Sequence, residues 1–214
     1  DAQFGPALHD ELAFASLPGD LVDSGWLAAD WLNDFWPAVA DLAARVPLYP
    51  VFGNHDAGSP IYRHYFDLPP NGSEYAEEHW YWLDYSNVRL LGLDSNEFYH
   101  TPEQLDWLQG VLDATCSVET VDFVFAQLHH PHHSELWPEG NTDFTGDVIA
   151  RLEEFATACG KPTALLFGHT HGYSRGQSRD HAHLLVNVAS AGGAIDRWGS
   201  PTQVDYEEFS TSTD

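Results

Sequence analysis

The sequence predicts one mixed α/β domain whose chemistry gathers at strand ends, and three observations carry that reading. Apolar runs of strand length alternate with helical stretches. A chain of 214 residues, 43% hydrophobic and 14% aromatic, is enough for one real core and hardly for two. Four short polar motifs each end or follow a strand-like run: Gly19-Asp20-Leu21-Val22-Asp23, Gly53-Asn54-His55-Asp56, His129-His130-Pro131 and Gly168-His169-Thr170-His171.

Taken in order, Phe14 to Leu17 reads as a short buried strand ending at Gly19-Asp20. Trp26 to Ala44 carries apolar residues at helical spacing (Leu27, Trp31, Phe35, Val39, Leu42), with Pro37 expected to kink or split it. Leu48 to Phe52 is a strand feeding Gly53, and Tyr62 to Phe66 a short helix. His79 to Tyr85 and Val88 to Leu93 are strands joined at Ser86-Asn87. Thr101-Pro102-Glu103-Gln104 opens a helix to about Ala114, with a Thr cap and Pro in the first turn. Val121 to Leu128 is a strand entering the histidine cluster. Gly146-Asp147 opens a helix to about Ala158, stopped by Gly160 and Pro162. Thr163 to Phe167 and His183 to Ala189 are strands. No internal repeat, linker or low-complexity tract interrupts this pattern.

Charge narrows the function. The formal net charge is −25, from 33 acidic residues against 8 basic ones. Such a surface repels phosphate backbones and anionic membranes, so no nucleic-acid or membrane partner is expected. No apolar run approaches the roughly 18 residues that span a bilayer. Cys116 and Cys159 are too few for a disulfide scaffold; they form either one bridge in an oxidising compartment or two separate thiols. An acidic, lysine-poor surface suits an extracytoplasmic or secreted setting, with a cytoplasmic one as the alternative.

The four motifs supply hard oxygen and imidazole donors. Asp20 can bridge two cations with its two oxygens. Asn54 offers a neutral oxygen, and His55 a proton near neutrality. His129 to His133 holds four histidines in five residues, which argues for at least one placed ligand. His169 and His171, two apart, point the same way in an extended segment. Helix caps, Asx-turns and satisfied core histidines are the competing readings of each motif alone; all four together favour a two-metal hydrolase of phosphate esters.

In order and strand placement, the motifs resemble those of the calcineurin-like metallophosphoesterases. Tyr62 to Pro70 (YRHYFDLPP), Leu91 to Asn96 (LGLDSN), Gln104 to Leu108 (QLDWL) and Gly168 to Arg175 (GHTHGYSR) are similar to the purple acid phosphatase branch and its bacterial relatives. The resemblance implies a two-sheet αββα sandwich with a dinuclear centre at its edge, formed by residues 1–214 as a single catalytic domain, which is either an excerpt lacking the first and last strands or a domain with an unusual edge. By position it implies Asp20 as bridging ligand. Asn54, His129 and His169 are implied on the second metal, and His171 with Asp1 on the first. Gln3 stands where a His is usual. Asp23 replaces the tyrosine of purple members, so no purple ferric centre is expected; it is implied to orient His55. His132 and His133 are candidates for holding substrate.

The expectation is therefore a phosphomonoesterase using two metal ions (Mn, Fe or Zn), a metal-bridging hydroxide as nucleophile and His55 as acid, on a small phosphate ester. A phosphodiesterase or nucleotide hydrolase is the alternative within the same chemistry. A catalytically silent metal-binding module of the same fold is the alternative outside it. Trp137, Tyr173 and Trp198, near the loops, are either packing residues or surfaces for a sugar or nucleoside.

Overall fold

A computed structural model describes residues 11–74, 76–134, 137–190, 192–196 and 209–212. Asp1, Gln3 and Trp198 lie outside them.

The helix predicted after the first motif forms without a break. It joins Ala28–Asp30, a π-helical stretch Trp31–Phe35 and Trp36–Ala43, together α1. Pro37 has no N–H for the carbonyl four residues back. The chain accommodates this by a wider turn, in which the Trp36 N–H reaches the Trp31 carbonyl, rather than by splitting. Trp31 and Phe35 are thereby buried. Ser59 caps α2 (Pro60–Tyr65), and Thr101 caps α3 (Pro102–Cys116) by accepting from the Gln104 N–H. Helix α4 (Asp143–Cys159) starts three residues earlier than Gly146, because Thr142 supplies the cap; Gly160 ends it at φ 69°.

Strands β1 (Ala15–Leu17) and β2 (Leu48–Pro50) pair in parallel as a small sheet. The large sheet holds β3 (Tyr81–Tyr85), β4 (Val88–Gly92), β5 (Phe123–Gln127), β6 (Thr163–Phe167), β7 (Ser174–Ser178), β8 (His183–Asn187) and β9 (Phe209–Ser212). Its order is β3-β4-β5-β6-β8-β7-β9. The strands β4, β5, β6 and β8 are parallel, with antiparallel neighbours at both edges. Helices α3 and α4 make the crossovers that parallel pairing requires. The antiparallel β7 and β9 were not foreseen. In β7 (SRGQS) no apolar alternation marks the strand.

Two hydrophobic cores result. One packs α3 and α4 on the large sheet through Leu91, Leu108, Leu112, Val124, Leu152 and Leu165. The other gathers Trp31, Phe35, Val51, Phe52, Tyr62 and Tyr81. Polar bonds tie the sheets together: Gln127 accepts from Ser16 Oγ (2.9 Å) and donates to the Tyr49 carbonyl (2.8 Å), and Tyr81 donates to the Pro50 carbonyl (2.9 Å). The fold is the expected mixed α/β arrangement of a large and a small sheet. At the helices' far ends Cys116 and Cys159 form a disulfide.

Candidate metal centre

All four motifs leave the carboxyl ends of strands, where α/β sheets place their sites. Asp20 follows β1, Asn54 follows β2, His129 follows β5 and His169 follows β6. Asp20 (φ 52°) and His169 (φ 67°) adopt the left-handed conformation, unusual for residues other than glycine. The flanking glycines are required by close approach. A Cβ on Gly53 would stand 2.1 Å from Asp20 Oδ1, and one on Gly19 would stand 2.6 Å from the Gly53 nitrogen.

The donors converge on one atom. His129 is buried, and its Nδ1 lies 2.7 Å from the Pro18 carbonyl. In the neutral ring a proton on Nδ1 makes that bond and leaves Nε2 a bare lone pair. Around Nε2 stand Asp20 Oδ2 at 3.0 Å, Asn54 Oδ1 at 3.1 Å and His169 Nδ1 at 3.1 Å. Four electron-pair donors thus face one another. Turning the Asn54 amide would relieve one contact and leave the carboxylate and the second ring. A cation between them fits the set, and the all-nitrogen-and-oxygen chemistry suits Mn, Fe or Zn.

Second contacts hold the donors in place. The Asp20 carboxylate also accepts from the His55 N–H at 2.9 Å. Burial pushes its pKa up, but the His129 ring in its protonated form and the bond from the His55 N–H outweigh that and hold it below the ordinary value. Burial, then the neighbouring His129, pushes His169 down to about 4, so the ring is neutral and free to ligate. Asp56, fully buried, accepts from the Gly53 N–H (2.8 Å) and the Asp20 N–H (3.2 Å), clamping the two loops together. Burial and then the Asp20 charge raise its carboxyl to about 6.

His55 stands at the exposed rim. Its Nδ1 lies 2.6 Å from the backbone carbonyl of Asp23, whereas the Asp23 carboxylate is 3.7 Å away and almost wholly exposed. That backbone bond, then the charges of Asp20, Asp23 and Asp56, raise the ring's pKa against a smaller opposing effect of burial. Asp23 therefore meets His55 chiefly through its main chain.

His171 lies in the same recess, of about 420 Å³, with Asp20, Asn54, His55 and His169. Its Nδ1 contacts the Ala194 carbonyl (2.9 Å), and its N–H donates to Asp196 (2.8 Å). Asp196 also lines this recess and had no sequence signal. His132 packs against the Thr142 carbonyl and Gly146, and neither it nor His133 borders this recess. Their neighbour His130 instead joins His129 and His169, the ligand atoms all lying within 4.8 Å of one another. Ser95 Oγ receives the N–H groups of His129 and His130 and sits 2.9 Å from His130 Nδ1. Burial lowers His130 to about 3 and keeps it neutral, with a smaller push from His129 and His169 in their protonated forms. A second recess of about 750 Å³, bordered by His130, Glu97, Asp143 and Asp147, shares His169 with the first.

Compared with known proteins, residues 8–173 match the family described as calcineurin-like phosphoesterase. The chain belongs to that family. Among solved structures, it is similar to purple acid phosphatase PPD1 from yellow lupin (Lupinus luteus) seeds. The TM-score is 0.69 at 16% identity, over 97% of this chain and 41% of the plant one. It is also similar to GAP50, the anchor in the inner membrane complex of Plasmodium, with a TM-score of 0.52 at 15% identity over 91% of this chain and 68% of that one. These likenesses bear on the fold. The chain spans about two fifths of the length of the plant protein. No curated protein matches it in sequence. No helix among the described residues is long and apolar enough to cross a membrane.

Proposed function

We propose that this calcineurin-like phosphoesterase is a metal-dependent phosphomonoesterase acting on small phosphate esters. The observation that carries the reading is the convergence of Asp20, Asn54 and His169 on the bare Nε2 of His129, a set no single proton satisfies. We assign two ions: Asn54, His129 and His169 to one, His171 with Asp1 and Gln3 to the other, and Asp20 to both. Bound there, the ions supply Lewis acidity toward phosphoryl oxygens and lower the pKa of water. His55, at the rim with its Nδ1 held by the Asp23 carbonyl, presents Nε2 outward as the proton source for the departing alkoxide. His130 borders the second recess, beside His169, as a neutral polar group. The negative surface favours small esters over polyanions. The Cys116–Cys159 bridge supports an extracytoplasmic location.

The test is hydrolysis of p-nitrophenyl phosphate by metal-stripped protein reloaded separately with Mn, Fe or Zn, with bound metal counted by elemental analysis. Metal-dependent turnover that Asn54→Ala loses is expected. Bis-p-nitrophenyl phosphate cleaved faster than the monoester would make the protein a diesterase. Stoichiometric metal without turnover on either ester would make it a silent metal-binding module. In the same assay, His55→Ala should cost alkyl phosphates more than nitrophenyl phosphate; equal losses would remove His55 from the acid role.

A further inference from the structure

The three aromatic residues that the sequence placed near the loops part ways in the structure. Trp198 lies outside the described residues. Tyr173 is 46% exposed but does not border the recess of the metal centre. Trp137 does border it, beside Asn54, His55 and His171, and is 44% exposed. It belongs to neither hydrophobic core. Packing is the usual use of a tryptophan, and packing does not account for this one.

Its position is held. Pro138 follows it and restricts Trp137 to extended backbone (φ −152°, ψ 86°). A short 3-10 turn, Pro138–Gly140, then returns the chain, with the Gly140 N–H bonded to the Trp137 carbonyl at 3.1 Å. Gly140 is required there: a Cβ would stand 2.6 Å from the His169 ring and 2.8 Å from the indole. The indole ring rests against His169, centroids 4.9 Å apart at 33°. A large flat apolar surface is thus fixed against a metal-ligand candidate, with nearly half its area open.

We infer that Trp137 is the specificity-determining platform of this site, stacking on the alcohol part of the substrate, and that the site selects phosphate esters whose alcohol carries a flat ring. The inference rests on the phosphoesterase reading above. A phosphoryl group held at Asp20, Asn54 and His169 places its ester oxygen, and the ring attached to it, within the same recess that Trp137 borders. That recess, about 420 Å³, is of ordinary size for a small ligand. Fixed beforehand, the indole loses little freedom on binding.

The experiment measures binding of two non-hydrolysable probes, phenylphosphonate and methylphosphonate, to the metal-loaded protein by calorimetry, in wild type, Trp137→Ala, Trp137→Phe and Tyr173→Ala. Stacking of aromatic pairs predicts that Trp137→Ala weakens phenylphosphonate about 5- to 10-fold. Methylphosphonate should change less than about twofold, Trp137→Phe should restore most of the loss, and Tyr173→Ala should match wild type. Equal loss for both probes, or no loss for phenylphosphonate, overturns the platform while leaving phosphate recognition intact. Failure of the wild type to bind either probe overturns the phosphoesterase reading itself, and the platform with it.

Discussion

Two clusters of the same residue types lie on either side of the Gly53 loop, and they differ in proton balance. In the metal centre, His129 Nε2 faces a carboxylate, an amide oxygen and another imidazole nitrogen. In the second cluster, His79 Nδ1 donates to Asp94 at 2.6 Å, and both groups are 1% exposed. His79 Nε2 receives Arg63 and Tyr99 (2.5 and 2.8 Å), while Phe52 and Tyr99 stack on its ring. Asp94 also accepts from Asn96, which reaches the Gly53 carbonyl at 3.3 Å. Here each close contact pairs a proton donor with an acceptor. Histidine, aspartate and asparagine mark a scaffold in one place and the proposed metal centre in the other. What separates them is whether the lone pairs are matched by protons.

That difference sets the largest predicted contrast. In metal-free protein, His169→Ala removes one of several crowded lone pairs, so stability should stay level or rise. Asp94→Ala leaves the buried His79 N–H and the Asn96 N–H without their carboxylate; at about 1.5–3 kcal/mol for each bond to a charged group, this should destabilise by about 3–5 kcal/mol. Urea unfolding of the metal-stripped variants measures both. Metal content should invert the order. His169→Ala should lose more than about 100-fold in metal affinity, beyond the 10- to 100-fold usual for groups that only support a ligand. Comparable destabilisation by the two variants would mean that the His169 cluster is a matched network like the other.

The sequence made one half of this comparison legible. The strand-end motifs could be read because their glycines are forced: Gly19 and Gly53 sit where any side chain would strike the other loop. The alternating strands and helices were legible for the usual reason, a buried face with a fixed period. Other features left no mark. Nothing in a run of histidines says that His130, rather than His132 or His133, turns toward His169; the bend after β5 decides that. Asp56 reads as a turn residue, yet its carboxylate joins two loops 35 residues apart. Asp23 meets His55 through a carbonyl, which every residue possesses. LGLDSN and YRHYF were visible as family-like segments, but their contribution, the network through Arg63, His79 and Asp94, exists only after folding.

A probe remote from both clusters sharpens the comparison. The Cys116–Cys159 bridge joins the C-terminal ends of α3 and α4, which run back from the strand ends that carry the site. It closes a loop of 43 residues, for which chain entropy predicts about 4 kcal/mol. Cys116→Ser/Cys159→Ser should lower the free energy of unfolding measured in urea by that order while metal stoichiometry stays the same. Loss of metal together with the bridge would show that the site depends on how these helices are clamped.

The smallest predicted effect concerns a third buried histidine. His183 opens β8 beside Thr163 of β6, at the strand ends away from the site. Its Nδ1 pairs with Thr163 Oγ1 at 2.7 Å, and its Nε2 is buried without a partner. Burial, with a smaller push from His181, lowers its pKa to about 4. The unfolded ring binds a proton near pH 6.5, while the folded one resists it. The neutral ring's advantage is therefore complete above pH 6.5 and is lost as the pH falls toward 4, amounting to about 3 kcal/mol. Unfolding of wild type and His183→Gln compared at pH 7 and pH 4.5 isolates it, with the variant expected to lose less stability on acidification. An equal acid loss in both would mean that His183 is solvated in the folded chain. A single orphaned nitrogen calls for no cation. Three lone-pair atoms crowding a fourth at a neutral His129 are the ground on which a metal centre is proposed.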